Sequence, residues 1–327
     1  MTTHSGRTRG SRIALAATAA TAALTLAACS APAEDAPAEE PGERPRVGIV
    51  LGGGGEVGIA WQTGVLAALA EESGLTPDVV DVVVGTSAGA FSGAQFAFGL
   101  DPDSLVEAER AGGVLSAPVG GGSTDEMPIP AELLEALAST EGTIEERGRR
   151  VGEMAIEAPV GISSEEYVAF VAAGLPGAQW PEFDSRATSV NALTGETVLW
   201  TADDGVPLAA ALASSSAVPG FLPVVEIDGA PYTDVPRTSF SRELVEEKDL
   251  DAIVYIGMPT PNLSNTVEED ALDALEDEGL LVVRITGTDA SNAVAADALN
   301  PEARPEAVEL GLDEGRAAAA EVTAILG

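Results

Sequence analysis

Histidine and cysteine are nearly missing. The 327 residues contain one of each, His4 and Cys29. A lone cysteine excludes an internal disulfide framework. Cations are scarce too: 16 Lys+Arg stand against 53 Asp+Glu, for a net charge of −37. Nucleic acid and anionic lipid surfaces are poor partners for so acidic a body. The acid excess fits a surface suited to high salt and equally a compositional habit, and composition does not separate the two.

The amino-terminal residues read as an export signal. Arg7, Arg9 and Arg12 precede the apolar run IALAATAATAALTLAA, which is short and Ala/Thr-rich for a spanning helix. The run closes on Leu26-Ala27-Ala28-Cys29, which resembles a bacterial lipobox. That resemblance implies a signal peptide at 1–28 and a lipid on Cys29, so that the exported chain is anchored to the outer face of the bacterial cell membrane. A plain secretory peptide with a leftover thiol is the alternative. After Cys29, SAPAEDAPAEEPGERP has almost nothing to bury, and 29–45 is expected to be a disordered tether. Residues 46–327 suit one large α/β domain without internal repeats.

Loss of 1–28 removes three arginines, leaving 13 cations against 53 acids, a net charge of −40. It also removes His4. A chain without histidine cannot run a Ser-His-Asp triad or a Cys-His dyad, and it lacks the usual zinc ligand sets. No cofactor or metal is called for.

The folded part alternates strand and helix signals. Val47–Leu51 is a short apolar strand, Ile59–Ala70 has helical apolar spacing, Val79–Val84 is β-branched, and Ala88–Phe98 is a small-residue helix. Strand–loop–helix twice over predicts a largely parallel sheet with helices packed on it. Further on, Pro130–Ala138, Glu145–Ile156, Pro207–Ser216 and Glu306–Leu326 read as helices, the last weakened at Gly311 and Gly315. Two strands are expected within Ala187–Trp200, and further strands at Ala252–Gly257 and Leu281–Ile285. The Gly/Pro-rich stretch VGGGSTDEMPIP is a candidate cover for a pocket.

Both βα turns carry glycine motifs. The second, Gly85-Thr86-Ser87-Ala88-Gly89, fits the G-x-S-x-G turn that lifts a nucleophilic serine above a sheet. A helix N-cap is the bland reading of Ser87. In the first, Gly53-x-Gly55-x-x-Gly58 fits a dinucleotide fingerprint, but the second strand ends in Val83-Val84-Gly85 without the acid that would hold a ribose. The other reading is an oxyanion hole, with the amides of Gly53, Gly54 and Gly55 turned toward one point at a helix start. Ser214, Ser215 and Ser216 are further hydroxyls with no such turn around them and read as a polar helix end near the site.

Taken in order, LGGGGEVG, GTSAG and ASSSAVPGFLPVVEIDGAPYTDVP resemble the patatin-like phospholipase family from about Arg46 to Thr238. The resemblance implies a three-layer α/β/α fold, related to the α/β-hydrolases and bearing a nucleophile elbow. It implies a lipid or other acyl-ester substrate and a Ser-Asp dyad: Ser87 as nucleophile, Asp234 as base, and Gly53, Gly54 and Gly55 as oxyanion donors. Two positions depart from the family pattern. Val235-Pro236 follows Asp234 where the family has Gly-Gly or Gly-Ala, and Glu56-Val57 stands where the family often has a basic residue. A surface lipoprotein that kept the fold and lost the chemistry is the alternative reading.

Overall fold

Valines and isoleucines in short runs make the sheet, and small residues between them allow helices to lie close on it. The computed structural model describes residues 44–113, 129–235, 237–258 and 266–327. The chain divides into Met1–Gly42 and Glu43–Gly327, and everything described lies in the second unit. The signal peptide, Cys29, most of the tether, Pro236 and residues 119–128 of the proposed cover lie outside the described residues.

In chain order the unit runs β1 (Val47–Leu51), α1 (Gly55–Ser73), β2 (Val82–Gly85), α2 (Ala88–Ala97), α3 (Pro102–Arg110), α4 (Ala131–Ala138), α5 (Ile144–Glu157) and α6 (Ser164–Gly174). Then come β3 (Ser185–Asn191), β4 (Thr197–Trp200), α7 (Leu208–Ser215), β5 (Val225–Ile227), β6 (Ala230–Thr233) and α8 (Ser241–Lys248). The chain closes with β7 (Ala252–Ile256), α9 (Thr266–Asp277), β8 (Leu281–Ile285), α10 (Asp289–Ala295) and α11 (Arg304–Leu326). The sheet order is β5-β6-β3-β2-β1-β7-β8, with β4 also paired to β3. Strands β3, β2, β1, β7 and β8 are parallel, and β4, β5 and β6 join antiparallel. The expected largely parallel three-layer arrangement is present.

Alternation along β1 builds two of the layers. Val47, Ile49 and Leu51 pack with α1 and α11, while Val50 points to the opposite face with Leu244 of α8 and Leu272 of α9. From β1 the chain goes to β2 on one side and later returns to β7 on the other, so the strand order reverses at β1. In open α/β sheets such a reversal leaves a crevice beyond the strand's carboxyl end. The glycine loop occupies that position.

Two boundaries differ from the sequence reading. Helix α1 begins at Gly55, ahead of Ile59, because it is buried on every side from Glu56 to Leu69 and shows no amphipathic onset there. Strand β2 begins at Val82, since pairing with β1 starts at Gly48↔Val82, leaving Val79 and Val80 in the approach to the strand.

Gly311 and Gly315 sit inside a continuous α11, where that helix touches α1 backbone to backbone. A Cβ on Gly311 would lie 2.1 Å from the Trp61 carbonyl, and one on Gly64 would lie 2.2 Å from the Val308 carbonyl. These glycines set the helix–helix distance. Gly311→Ala should therefore destabilise by about 1–3 kcal/mol through overpacking, although alanine favours a helix by about 1 kcal/mol. Urea unfolding checks the sign, and a gain in stability would contradict the close contact.

Candidate active site

The second glycine turn places Ser87 by steric necessity. Ser87 has φ 54 and ψ −118, a conformation that side-chain-bearing residues rarely take. The flanking glycines permit the sharp strand-to-helix turn. A Cβ on Gly85 would come 2.1 Å from the Gly89 carbonyl, and one on Gly89 would come 2.3 Å from the Leu51 carbonyl. The Ser87 N–H donates to the Ser215 hydroxyl at 3.0 Å, and α2 starts at the next residue. Ser87 itself is 5% exposed.

The first turn is pinned to the second. Gly52 N–H donates to the Ile256 carbonyl at 2.9 Å, and the Gly52 carbonyl accepts from Gly89 N–H at 3.1 Å and Gln62 Nε2 at 2.7 Å. Gly53 lies against Ser87: a Cβ there would be 3.5 Å from the Ser87 Cβ. Gly54 and Gly55 take φ 159 and φ 61, so the chain reverses directly into α1. Among the described residues the N–H groups of Gly53 and Gly54 donate to no protein acceptor. Amides left free at a buried helix start form an anion-binding concavity.

Asp234 directly follows β6, in the segment whose strand pairs with β3 through Val190↔Thr233. Its backbone N–H donates to the Ala217 carbonyl at 3.2 Å, and Thr233 Oγ1 donates to the same carbonyl at 2.7 Å. The side chain is 0% exposed. Burial pushes its carboxyl up to about 7, against pulls downward from the Ser87 hydroxyl and the Arg237 charge. The Ser87 hydroxyl is thus close enough to act on the carboxyl. Neither carboxylate oxygen, however, has a partner with full hydrogen-bond geometry among the described residues. Ser87 therefore lies near the carboxyl without a hydrogen bond of full geometry to it. Arg237 is itself paired with buried Glu268 at 3.3 Å.

The three serines that close α7 each have a separate task. Ser215 holds the Ser87 backbone, Ser214 shares a 2.6 Å hydrogen bond with Ser189, and Ser216 shares one of 2.7 Å with Tyr167. Burial, followed by the negative charge of Asp234, pushes the Tyr167 hydroxyl up, so it stays protonated, although the bond to Ser216 opposes this. A narrow cavity of about 60 Å³ opens beside Ser87, walled by Ile59, Phe91, Phe170, Phe221, Leu222 and Leu299. A larger hollow of about 380 Å³ lies along α1, α2 and the start of α3 but contains none of these polar groups. The candidate site is at the smaller one. Among the described residues no cluster of acids could hold a metal ion, and no helix is long and apolar enough to cross a membrane.

Residues 49–112, from β1 through α3, match the family model described as "Patatin-like phospholipase". The chain resembles the patatin-like phospholipase family. That match includes the glycine loop and Ser87 but stops well short of Asp234. No curated protein matches by sequence. Among solved structures, VipD from Legionella pneumophila is 14% identical with a TM-score of 0.43, over 85% of this chain and 67% of its own. The type III effector ExoU, from Pseudomonas aeruginosa, is 17% identical with a TM-score of 0.42, over 85% and 53%. A human GIVD cytosolic phospholipase A2, in complex with methyl γ-linolenyl fluorophosphonate, is 12% identical with a TM-score of 0.45, over 86% and 58%. This chain thus spans a little over half to two thirds of their lengths.

Of the patatin-like residues expected from sequence, Ser87, Asp234 and Gly53 to Gly55 all come to one point at the carboxyl end of β1 and β2. Val235 follows Asp234 as irregular chain, and Pro236 is outside the described residues. Sequence reasoning did not single out Tyr167, Arg237 or Arg304. Tyr167 carries a legible signal, since Ser163 and Glu166 form a capping box that fixes the register of α6.

The raised carboxyl has a defined effect on stability. An acid whose folded pKa, about 7, lies above its ordinary value of 3.8 binds its proton more tightly when folded. It therefore weakens the folded state as pH rises from about 4 through 7, by up to about 4 kcal/mol at about 1.4 kcal/mol per unit. Asp234→Asn should raise the melting temperature at pH 8 and leave it nearly unchanged at pH 4. Equal effects at both pH values would contradict a buried, proton-retaining carboxyl.

Proposed function

We propose that the protein is a serine acyl hydrolase acting on lipid esters through a Ser87–Asp234 dyad. The observation that carries this reading is the strained Ser87 facing a wholly buried Asp234 beside free glycine amides. In its ionised form the Asp234 carboxylate takes the hydroxyl proton as Ser87 Oγ bonds to the acyl carbonyl carbon. The carbonyl oxygen gains the negative charge, which Gly53, Gly54 and Gly55 N–H groups stabilise together with the positive ends of α1 and α2. Collapse of the adduct breaks the bond to the alcohol, which leaves with the proton from Asp234. Water then attacks the acyl-serine with Asp234 again as base, which releases the acid and restores Ser87.

Low local polarity assists this chemistry. An exposed aspartate with an ordinary pKa near 3.9 is a weak base for a serine hydroxyl. Burial raises the basicity of Asp234 toward the working pH. The apolar wall of Ile59, Phe91, Phe170 and Phe221 suits an acyl chain and excludes water from the adduct. The family resemblance favours lipid over other esters, and head group and chain length are left open.

Purified protein lacking residues 1–28 should react with a fluorophosphonate probe and hydrolyse p-nitrophenyl esters. Ser87→Ala and Asp234→Asn should each lower kcat/KM by about three orders of magnitude or more while staying folded by circular dichroism. A folded wild type that neither labels nor turns over any ester would instead favour the surface binding protein.

We also propose export and lipid attachment at Cys29, on the strength of the basic start, the apolar run and Leu26-Ala27-Ala28-Cys29. The strongly negative charge leaves the lipid as the means of membrane attachment. Metabolic labelling with a palmitate analogue should disappear in Cys29→Ala, and persistent labelling would exclude this site.

A further inference from the structure

The glycine loop is held from an unexpected direction. The segment 298–304, between α10 and the start of α11, lies against the loop and the first turn of α1. The Ala298 carbonyl accepts the Val57 N–H at 3.1 Å. A Cβ on Gly55 would stand 2.5 Å from that same carbonyl oxygen and 2.9 Å from Leu299 Cδ2. Leu299 also forms part of the cavity wall beside Ser87. Arg304, wholly buried, donates from Nη1 to Glu56 Oε2 at 3.2 Å. The same guanidinium grips Glu109 through Nε at 2.7 Å and Nη2 at 3.0 Å.

One short segment thus ties the first turn of α1 to α3 and α11 at several points. Glu56 immediately follows the glycines, so whatever fixes its carboxylate fixes the direction in which α1 leaves the loop. The charges also bear on the chemistry. A carboxylate in the first turn of a helix is favourable for the helix dipole, but beside an oxyanion it is repulsive. Arg304 both fixes that carboxylate and counters its charge.

We propose that the segment Ala298–Arg304 is a brace for the oxyanion loop, with Arg304, acting through Glu56, as a positioning residue for the Gly53–Gly55 amides. The inference rests on reading those amides as the oxyanion donors. Arg304 lies outside the cavity beside Ser87, and Glu56 lies in its wall next to Gly55. Their effect is expected where negative charge develops on oxygen, and not in ground-state binding.

The test uses the folded protein with Glu56→Gln, Arg304→Lys and Arg304→Gln. Glu56→Gln keeps the shape and removes the charge, and Arg304→Lys keeps the charge and removes the fork that grips two carboxylates. Glu56→Gln should lower kcat about ten-fold or more, with KM within about two-fold, because loosening of the loop amides outweighs the relief of the carboxylate's repulsion. Affinity for a trifluoromethyl ketone, which adds to Ser87 as a tetrahedral oxyanion, should fall by a similar factor. Arg304→Gln should fall further, with Arg304→Lys recovering part of the loss.

Amide hydrogen exchange in the Ser87→Ala background provides an arm independent of turnover, and it covers a variant with poor activity or yield. Exchange across residues 52–58 should speed up in Glu56→Gln and Arg304→Lys, while β7 and β8 stay protected. Unchanged exchange in both variants would overturn the brace, as would kcat and ketone affinity in Glu56→Gln within two-fold of wild type. If the exchange result holds but wild type turns over no ester, the hydrolase reading fails and the brace stands.

Discussion

Burial of the Asp234 carboxyl beside Ser87 is the constraint on which the proposed site depends, because in the proposed dyad it supplies a base to a chain whose one histidine is His4. Desolvation alone would leave that carboxyl protonated over much of the physiological range. The nearby Ser87 hydroxyl and the Arg237 charge act in the other direction, and Glu268 in turn holds Arg237. Buried polar groups of this kind usually have partners. The incomplete contact between Ser87 and Asp234 is a local exception, at the point where a proton would have to move.

The sheet supplies the geometry around that pair. Reversal of strand order at β1 opens a crevice at its carboxyl end, and both glycine turns arise there, from neighbouring strands. Direct backbone contact between the turns, through Gly52 and Gly89, keeps the glycine amides and Ser87 in register. The remaining pieces come from far along the chain: Ser215 supports the Ser87 backbone from α7, and Arg304 holds Glu56 from the start of α11. Backbone strain at Ser87 persists because these neighbours leave it no relaxed alternative.

Much of this was legible from residues alone, where the signal is local. Val47–Leu51 and Ala252–Ile256 are unbroken apolar runs and became central strands within a residue of their expected limits. Ser87 stood out through its G-x-S-x-G turn between a strand and a helix, whose glycines are sterically required, whereas Asp234 stood out only through the ordered family resemblance. Helices α3 and α6 went unread although Asp101 and Ser163 cap them, since polar residues outnumber the apolar ones in the first and alanines blur the spacing in the second. The Arg304–Glu56 pair could not be read at all. Its partners lie 248 positions apart, and an arginine beside a proline at a helix start looks like surface until α1 and α3 close over it. Glu56, which looked like a loss of positive charge from the loop, proves to be half of a buried pair.

The central claim is that Asp234, ionised, activates Ser87. The pH dependence of kcat/KM for a short p-nitrophenyl ester tests it most directly, because this ratio reports the ionisation of the free enzyme's base. The account predicts a rate that rises with pH through a single apparent pKa of about 7 and then levels off. A profile already flat above pH 5, with the base titrating near the ordinary carboxylate value, would contradict it.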